Sequence, residues 1–491
     1  MQPLTLRRRA DLTLAAFEEV AWHGRRVVLH DEALALMARA RAAFLDLVQH
    51  APEVVVYGVT SGYGFRAKYR FTPEERAAHA RLRSHATATA FGAPLPERVA
   101  RGIVLARLAN FLEGHSAVSP RVALAVAAML DGRALPEVPA EGVGSPGEIQ
   151  PLAHLLGPVV DAVDLGEKDL LALLNGSPCA SALIADAALA ARRRLAIATA
   201  VLGLAAEALR APLDAYDPAL DDLFEDPDEA VALQDLRRLL AGGVAERRPY
   251  QAPVSFRIVP RVLGQARRAL AGAAEAARIS LRAVSDNPIY LMPDSGHPRG
   301  RVLSNGGFHN ARAAPAMDAL AAAFADLALL ADRQVTKLLD GNVSGLPNQL
   351  ITGDGRALDG TFLGCLGMTA LAWAEQARHA ARLTLLPGSE GGGFGQNDVA
   401  AVAFPAWRQQ AEAGRCLGAG LACLAVVASQ AFFITGRGAP PGLAPLLAHV
   451  RSLVAPVTAP VALGPDAGRL HASLEAAVIA AEPPDWIGSG A

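Results

Sequence analysis

The stretch that most constrains this chain is Val143 to His154, Val-Gly-Ser-Pro-Gly-Glu-Ile-Gln-Pro-Leu-Ala-His. Gly144, Pro146 and Gly147 fall within four residues. Glycine loses more conformational freedom on ordering than any other residue, and proline has no backbone N–H, so neither a helix nor a sheet ladder runs through them. The chain has to bend here before the apolar run Leu152 to Leu156 resumes. By its residues alone the stretch is a tight loop entering a helix.

Around that bend the pattern is mostly helical. A short strand is expected at Val27 to Leu29, then an amphipathic helix from Asp31 to Val48, where Leu34, Met37, Ala40, Phe44 and Leu47 recur near the helical period. Tyr57-Gly58-Val59-Thr60-Ser61-Gly62-Tyr63-Gly64 is a glycine-interrupted loop. Helix resumes from Pro73 through Leu130 and stops at Asp131-Gly132. Further helices are expected from Pro151 to Val163 and from Glu167 to a break at Asn175-Gly176. Residues 181 to 245 and 311 to 340 are rich in alanine and leucine, both strong helix formers, with an acidic, proline-containing link from Asp214 to Asp228. Pro387 to Gly395 holds five glycines in nine residues and reads as a second loop; helix then continues to Val454, and the tail after Pro483 is expected to fray. This order suggests three segments: residues 1–200, mixed but mostly helical and carrying the loops; 201–455, a long-helix bundle; and 456–491, a C-terminal helix and tail. No repeat of fixed period is visible.

Composition removes several function classes. Of the 491 residues 52% are hydrophobic and only 19% charged, so much of the surface must be buried internally or between subunits. The formal net charge of −2, without a long run of one sign, argues against nucleic acid or a membrane surface as partner. Cys416 to Gly436 runs 21 residues without a charge, but it is interrupted by Gly418, Gly420, Ser429 and Gln430 and fits a buried central helix better than a membrane span. Four cysteines form no Cys-x-x-Cys pair and the histidines no His-x-x-x-His spacing, so no metal site is expected. The three lysines, Lys68, Lys168 and Lys337, give no Schiff-base context for a pyridoxal enzyme. The N-terminal arginines are followed by acidic residues rather than an apolar core, which makes a cytoplasmic location the default expectation.

Taken singly, the polar candidates have ordinary explanations. Tyr57 and Tyr63 could be packing tyrosines or an acid/base pair, Ser84-His85 a capped histidine, Asn175-Gly176 a helix end, and Arg257 a surface arginine. In order along the chain, however, they fall on one pattern. Val143 to His154 resembles the prosthetic-group loop of the histidine and phenylalanine ammonia-lyases and related aminomutases, Gly-Ser-Val-Gly-Ala-Ser-Gly-Asp-Leu-Ala-Pro-Leu-Ala-His. Tyr57 to Gly64 resembles that family's Tyr-Gly-Val-Thr-Thr-Gly-Phe-Gly, Ser84-His85 its Ser-His, and Leu171 to Gly176 its Leu-Ala-Leu-Leu-Asn-Gly. Gln251, Ser255 and Arg257 match Gln-Asp-x-Tyr-Ser-Leu-Arg. Ser285-Asp286-Asn287-Pro288, Phe308-His309, Ser344-Gly345-Leu346-Pro347 and Gln396-Asn397-Asp398-Val399 follow.

The resemblance covers roughly residues 20 to 450. It implies a mostly α fold of ammonia-lyase type with long central antiparallel helices, assembled as a homotetramer whose active sites draw on several subunits. It implies Tyr57 as catalytic base, His85 on the substrate side, and Asn175 and Gln251 near the substrate. Arg257 becomes a bidentate carboxylate clamp, and Phe308 and Asn397 line the pocket.

The departures matter as much. The family's Ala-Ser-Gly, which cyclises and dehydrates to the electrophile methylidene-imidazolone, is Ser145-Pro146-Gly147 here. Ring formation needs a middle residue with an N–H to lose and a β-hydroxyl to shed, and Pro146 has neither. Shifting the frame to Gly144-Ser145-Pro146 supplies the hydroxyl but makes proline the attacking nitrogen, again without hydrogen. Moreover Val254 stands where the family has a second catalytic tyrosine, Gly307 replaces an asparagine, and Glu148 replaces an aspartate.

The expectation is therefore an ammonia-lyase-like enzyme without that cofactor. It would perform acid-base elimination, addition, cyclisation or isomerisation on a carboxylate-bearing, amino-acid-like small molecule, with Tyr57 and His85 transferring protons and Arg257 and Asn175 holding the carboxylate. A non-catalytic ligand-binding homologue is the alternative, and an ordinary aromatic amino acid ammonia-lyase is less favoured.

Overall fold

The computed structural model describes residues 2–352, 361–389, 395–482 and 484–487. The chain packs into two compact units, each drawn from three separated stretches rather than from consecutive segments. Their boundaries at Ala188, Gly272, Met317 and Arg408 fall inside four long helices, Pro178–Ala208, Val259–Arg282, Ala313–Leu339 and Ala403–Ile434.

The first unit comprises Met1–Ala188, Ala273–Met317 and Leu383–Arg408. Strand Leu4–Leu6 pairs in parallel with Val27–Leu29, and Ile289–Leu291 pairs antiparallel with Arg301–Leu303. The amphipathic stretch forms helix Asp31–His50, whose Met37, Ala40, Phe44 and Leu47 are buried. Phe44 meets Tyr290 edge-on at 5.5 Å in a cluster with Val48, Val56 and Val59. That cluster seats the start of the Tyr57 loop on the core.

The stretch from Pro73 to Leu130, expected to be mostly helical, forms three helices, Pro73–Ala80, Glu97–Ala109 and Pro120–Ala128. The first opens with a capping box, Glu75 N–H to Thr72 Oγ1 and Thr72 N–H to the Glu75 carboxylate. It ends at Arg81, and Gly92, Pro94 and Pro96 keep the chain out of helix until Glu97. The bend at Ser145 to Glu148 runs directly into helix Ile149–Ala162, and Asp169–Leu174 ends at Asn175.

Two buried carboxylates of this unit, Asp286 and Asp186, are paired. Lys168 Nζ lies 3.0 Å from Asp286 Oδ2 with both side chains inaccessible, and Asp186 accepts from Trp22, Arg98 and Trp407. These contacts fasten segments far apart in sequence.

The second unit comprises Leu189–Gly272, Asp318–Arg382 and Gln409–Ala491. Its core is apolar, with Leu202, Leu236, Leu263, Phe324 and Phe432 buried on helices. Arg194 pairs with Glu475, and buried Glu207 with Arg247 at 2.7 Å. Three helical stretches, Asp169–Ala208, Ala313–Leu339 and Ala403–Ile434, are long and apolar enough to cross a membrane by length and composition. The stretch from Cys416 belongs to the last, and 89% of its most apolar window is buried inside the protein. Of the second glycine-rich loop, residues 390–394 lie outside the described residues, as does most of the tail from Pro483.

Candidate active site

The first unit contains a cavity of about 440 Å³ in which most of the loops singled out from sequence meet. Tyr57 and Tyr63 enter it from the first glycine loop. Gly58 there has φ +70°, and a Cβ on it would come within 2.8 Å of Leu171 Cδ2, so the loop can close on the following element only with glycine at that point. The Tyr57 hydroxyl accepts the Gly64 N–H at 3.0 Å, which leaves its own hydrogen for another acceptor. Burial pushes the Tyr57 phenol above its usual range, and the Gly64 N–H opposes this by favouring the phenolate. Tyr63 is shifted the same way, first by burial, and its ring packs on His79 at 5.0 Å.

The second wall is the altered loop. Pro146, Gly147 and Ile149 line the cavity, with nearly buried Ser145 behind them. The loop is well tethered: Ser145 Oγ donates to Gly147 O at 2.6 Å, Ala401 N–H to Ser145 O at 2.9 Å, and Gly144 N–H to Gln150 Oε1 at 3.0 Å. Glu148, 1% exposed, accepts the Cys179 and Ala180 N–H groups at 2.5 and 2.7 Å, at the start of helix Pro178–Ala208. A helix N-terminus favours a carboxylate. Desolvation nevertheless outweighs those N–H groups and the Arg107 charge, and lifts the Glu148 carboxyl to about 7.

Asn175 and Phe308 complete the wall, with Asn287, Ser304, Asn305, Gln396 and Asn397. Asn175 is held through its carbonyl, to which fully buried Arg107 donates, and Ser177 N–H binds Ser285 Oγ at 2.9 Å. Gly176 lies between them at φ +98°, where a Cβ would stand 2.9 Å from both Arg107 Nη2 and Ser285 Oγ. Thus a buried guanidinium fixes Asn175, whose carboxamide oxygen accepts the Gly176 N–H at 2.7 Å while the residue lines the cavity.

Tyr57, Asn175, Phe308, Asn397, Pro146 and Gly147 are therefore brought together. His85 is not: its side chain is exposed and Nε2 lies 3.0 Å from Asp161 Oδ1. Gln251 and Arg257 belong to the second unit, are exposed, and do not line this cavity; Arg257 Nε donates to Ala252 O at 3.0 Å. Val254 beside them is 57% exposed. Sequence reading passed over Arg83, Ser84 and Asn287 as site residues, although all three lie in or beside motifs it had found. It did not anticipate Arg107, one of three arginines on helix Glu97–Ala109 and the one that is fully buried.

The prosthetic group of the resemblance can be tested against these residues. The position whose nitrogen must lose a hydrogen is Pro146, and the one hydroxyl of the loop, on Ser145, belongs to a residue followed by that proline. The residues present do not fit the group. Among the described residues no cluster of His, Cys, Asp or Glu could hold a metal ion.

A family model described as aromatic amino acid lyase matches residues 12–162 and 159–454. A histidine ammonia-lyase of Symbiobacterium thermophilum is 31% identical over 93% of this chain and 94% of its own length. Tyrosine aminomutase from Streptomyces globisporus superposes with a TM-score of 0.84 at 25% identity, over 96% of this chain and 97% of the aminomutase. An ergothioneine-degrading ergothionase from Treponema denticola, solved with desmethyl-ergothioneine sulfonic acid, gives 0.86 at 19% identity over 98% and 100%. The last likeness is one of fold.

Proposed function

Because the chain belongs to the aromatic amino acid lyase family, we propose that it is a lyase that works without the methylidene-imidazolone electrophile on a carboxylate-bearing, amino-acid-like substrate with an already activated bond. The observation that carries this is Pro146 lining the cavity opposite a retained Tyr57. The electrophile loop is chemically disabled while Tyr57 is kept.

The chemistry follows from what remains. Tyr57, as phenolate, takes a proton from the carbon next to the activated centre; the freed pair forms a carbon–carbon double bond, and the leaving group departs with the old bonding pair. The Gly64 N–H on the phenolic oxygen offsets part of the burial that disfavours that phenolate. Tyr63, at a position where the family motif has phenylalanine, supplies a second hydroxyl in place of the tyrosine lost at Val254. Asn175 orients the substrate. Arg257 clamps the carboxylate of a substrate bound in another copy of the chain, within a homotetramer, which is why it need not line its own chain's cavity.

An α-amino group is a poor leaving group, whereas a quaternary nitrogen leaves as a neutral amine. Histidine and phenylalanine should therefore be offered alongside their N,N,N-trimethyl betaines. Release of trimethylamine with an acrylate product is expected from a betaine and not from the parent amino acids, with Tyr57→Phe reducing the rate at least about 10²-fold. Equal turnover of the parent amino acids contradicts the electrophile-free reading. A non-catalytic ligand-binding role is the second reading, favoured by Val254, which can donate no proton; absence of turnover with retained carboxylate binding would select it.

A further inference from the structure

Arg83 brings a formal charge to the lining of the cavity, and no aspartate or glutamate joins it among the described residues. One of its Nη1 hydrogens is donated to the Val160 carbonyl, which steadies the guanidinium without neutralising it. No carboxylate pairs with it among the described residues. Asp161, next along the helix from Val160, is taken by His85 at 3.0 Å. Beside Arg83, Ser84 is 2% exposed and also lines the cavity, yet its Oγ has no hydrogen-bond partner. A buried hydroxyl is rarely left unpaired without reason. Thr87, on the same turn, closes this end by donating its hydroxyl to the Ser84 carbonyl.

An exposed guanidinium with free N–H groups and, on the next residue, a buried unpaired hydroxyl line the same cavity, whose described lining holds no acidic residue, and together they can receive an oxyanion. We propose that this end of the cavity receives a second anionic group of the substrate, a carboxylate or an equivalent oxyanion, held by Arg83 and the Ser84 hydroxyl. The proposal rests on the preceding reading, in which the first carboxylate is clamped by Arg257 of another copy. It narrows the substrate class to compounds carrying two anionic groups on an amino-acid-like skeleton.

The test is calorimetric titration of the purified full-length protein with trans-cinnamate and with trans-3- and trans-4-carboxycinnamate. At least one dicarboxylate should bind at least about tenfold more tightly than cinnamate, the scale of one charge-assisted hydrogen bond. Arg83→Gln should erase that preference while leaving cinnamate affinity within about twofold, Arg83→Lys should keep part of it, and Ser84→Ala should reduce it. Arg257→Gln should weaken all three ligands and preserve their ratio. Equal binding of mono- and dicarboxylates to the wild type, or a preference that survives Arg83→Gln, overturns the proposal. Loss of cinnamate binding in Arg83→Gln but not in Arg257→Gln overturns it too, because Arg83 would then be the sole clamp. Failure of every ligand to bind the wild type overturns both this proposal and the carboxylate-site reading beneath it.

Discussion

At the scale of single residues, Glu148 shows how the altered loop is kept in place and what that costs. Its carboxyl sits at about 7 in the folded protein against 4.5 for an exposed glutamate, because burial outweighs two backbone N–H groups and the Arg107 charge. A folded value above the unfolded one means that the folded state binds the proton more tightly. The associated stability is complete below pH 4.5 and is lost as pH rises through about 7. Chemical denaturation at pH 5 and pH 8 should therefore show a fall in wild-type stability that is smaller in Glu148→Gln. An identical fall in both proteins would mean that Glu148 does not titrate in this range. The size of this effect could not be read from sequence. Glu148 stood in register with a family aspartate, but the two N–H groups it accepts belong to a helix that begins about thirty residues later in the chain.

Among the elements, the loops around the cavity are held by buried ion pairs rather than by loop-to-loop packing alone. Lys168, at the entry to helix Asp169–Leu174, and Asp286, next to cavity-lining Asn287, meet at 3.0 Å with no solvent access. Lys168→Met would leave the Asp286 carboxylate buried without its cation, a loss of about 3–5 kcal/mol by the usual behaviour of such pairs. A denaturant midpoint shift should report it, and Lys168→Met combined with Asp286→Asn should recover part of the loss. A change below about 1 kcal/mol for the single variant would contradict the pairing. Helix positions at Asp31, Pro151 and Ala311 were legible to within a few residues, because apolar period and alanine content act locally. The break of the 73–130 stretch was also written in Gly92, Pro94 and Pro96. By contrast, the Lys168–Asp286 pair and the Arg107 contact to Asn175 join residues 118 and 68 positions apart, and no local pattern encodes them.

For the whole molecule, the family and its long-helix fold were legible because many weak motifs occurred in one order. The sharing of each site between chains was implied by the resemblance alone. Arg257 and Gln251 lie exposed in the second unit, and only 61% of the apolar window in helix Ala313–Leu339 is buried within one chain. Unburied apolar surface of that kind fits a face covered by further copies. Light scattering after size exclusion should give four chain masses; a monomer that still loses cinnamate affinity in Arg257→Gln would contradict the shared-site reading.

The central claim concerns Ser145-Pro146-Gly147, and the intact mass of the purified protein, taken with its near-ultraviolet absorbance, tests it most directly. The account predicts the unmodified sequence mass and no absorbance beyond that of the aromatic side chains. A mass lower by two waters, with added near-ultraviolet absorbance, would contradict it and restore an ordinary ammonia-lyase.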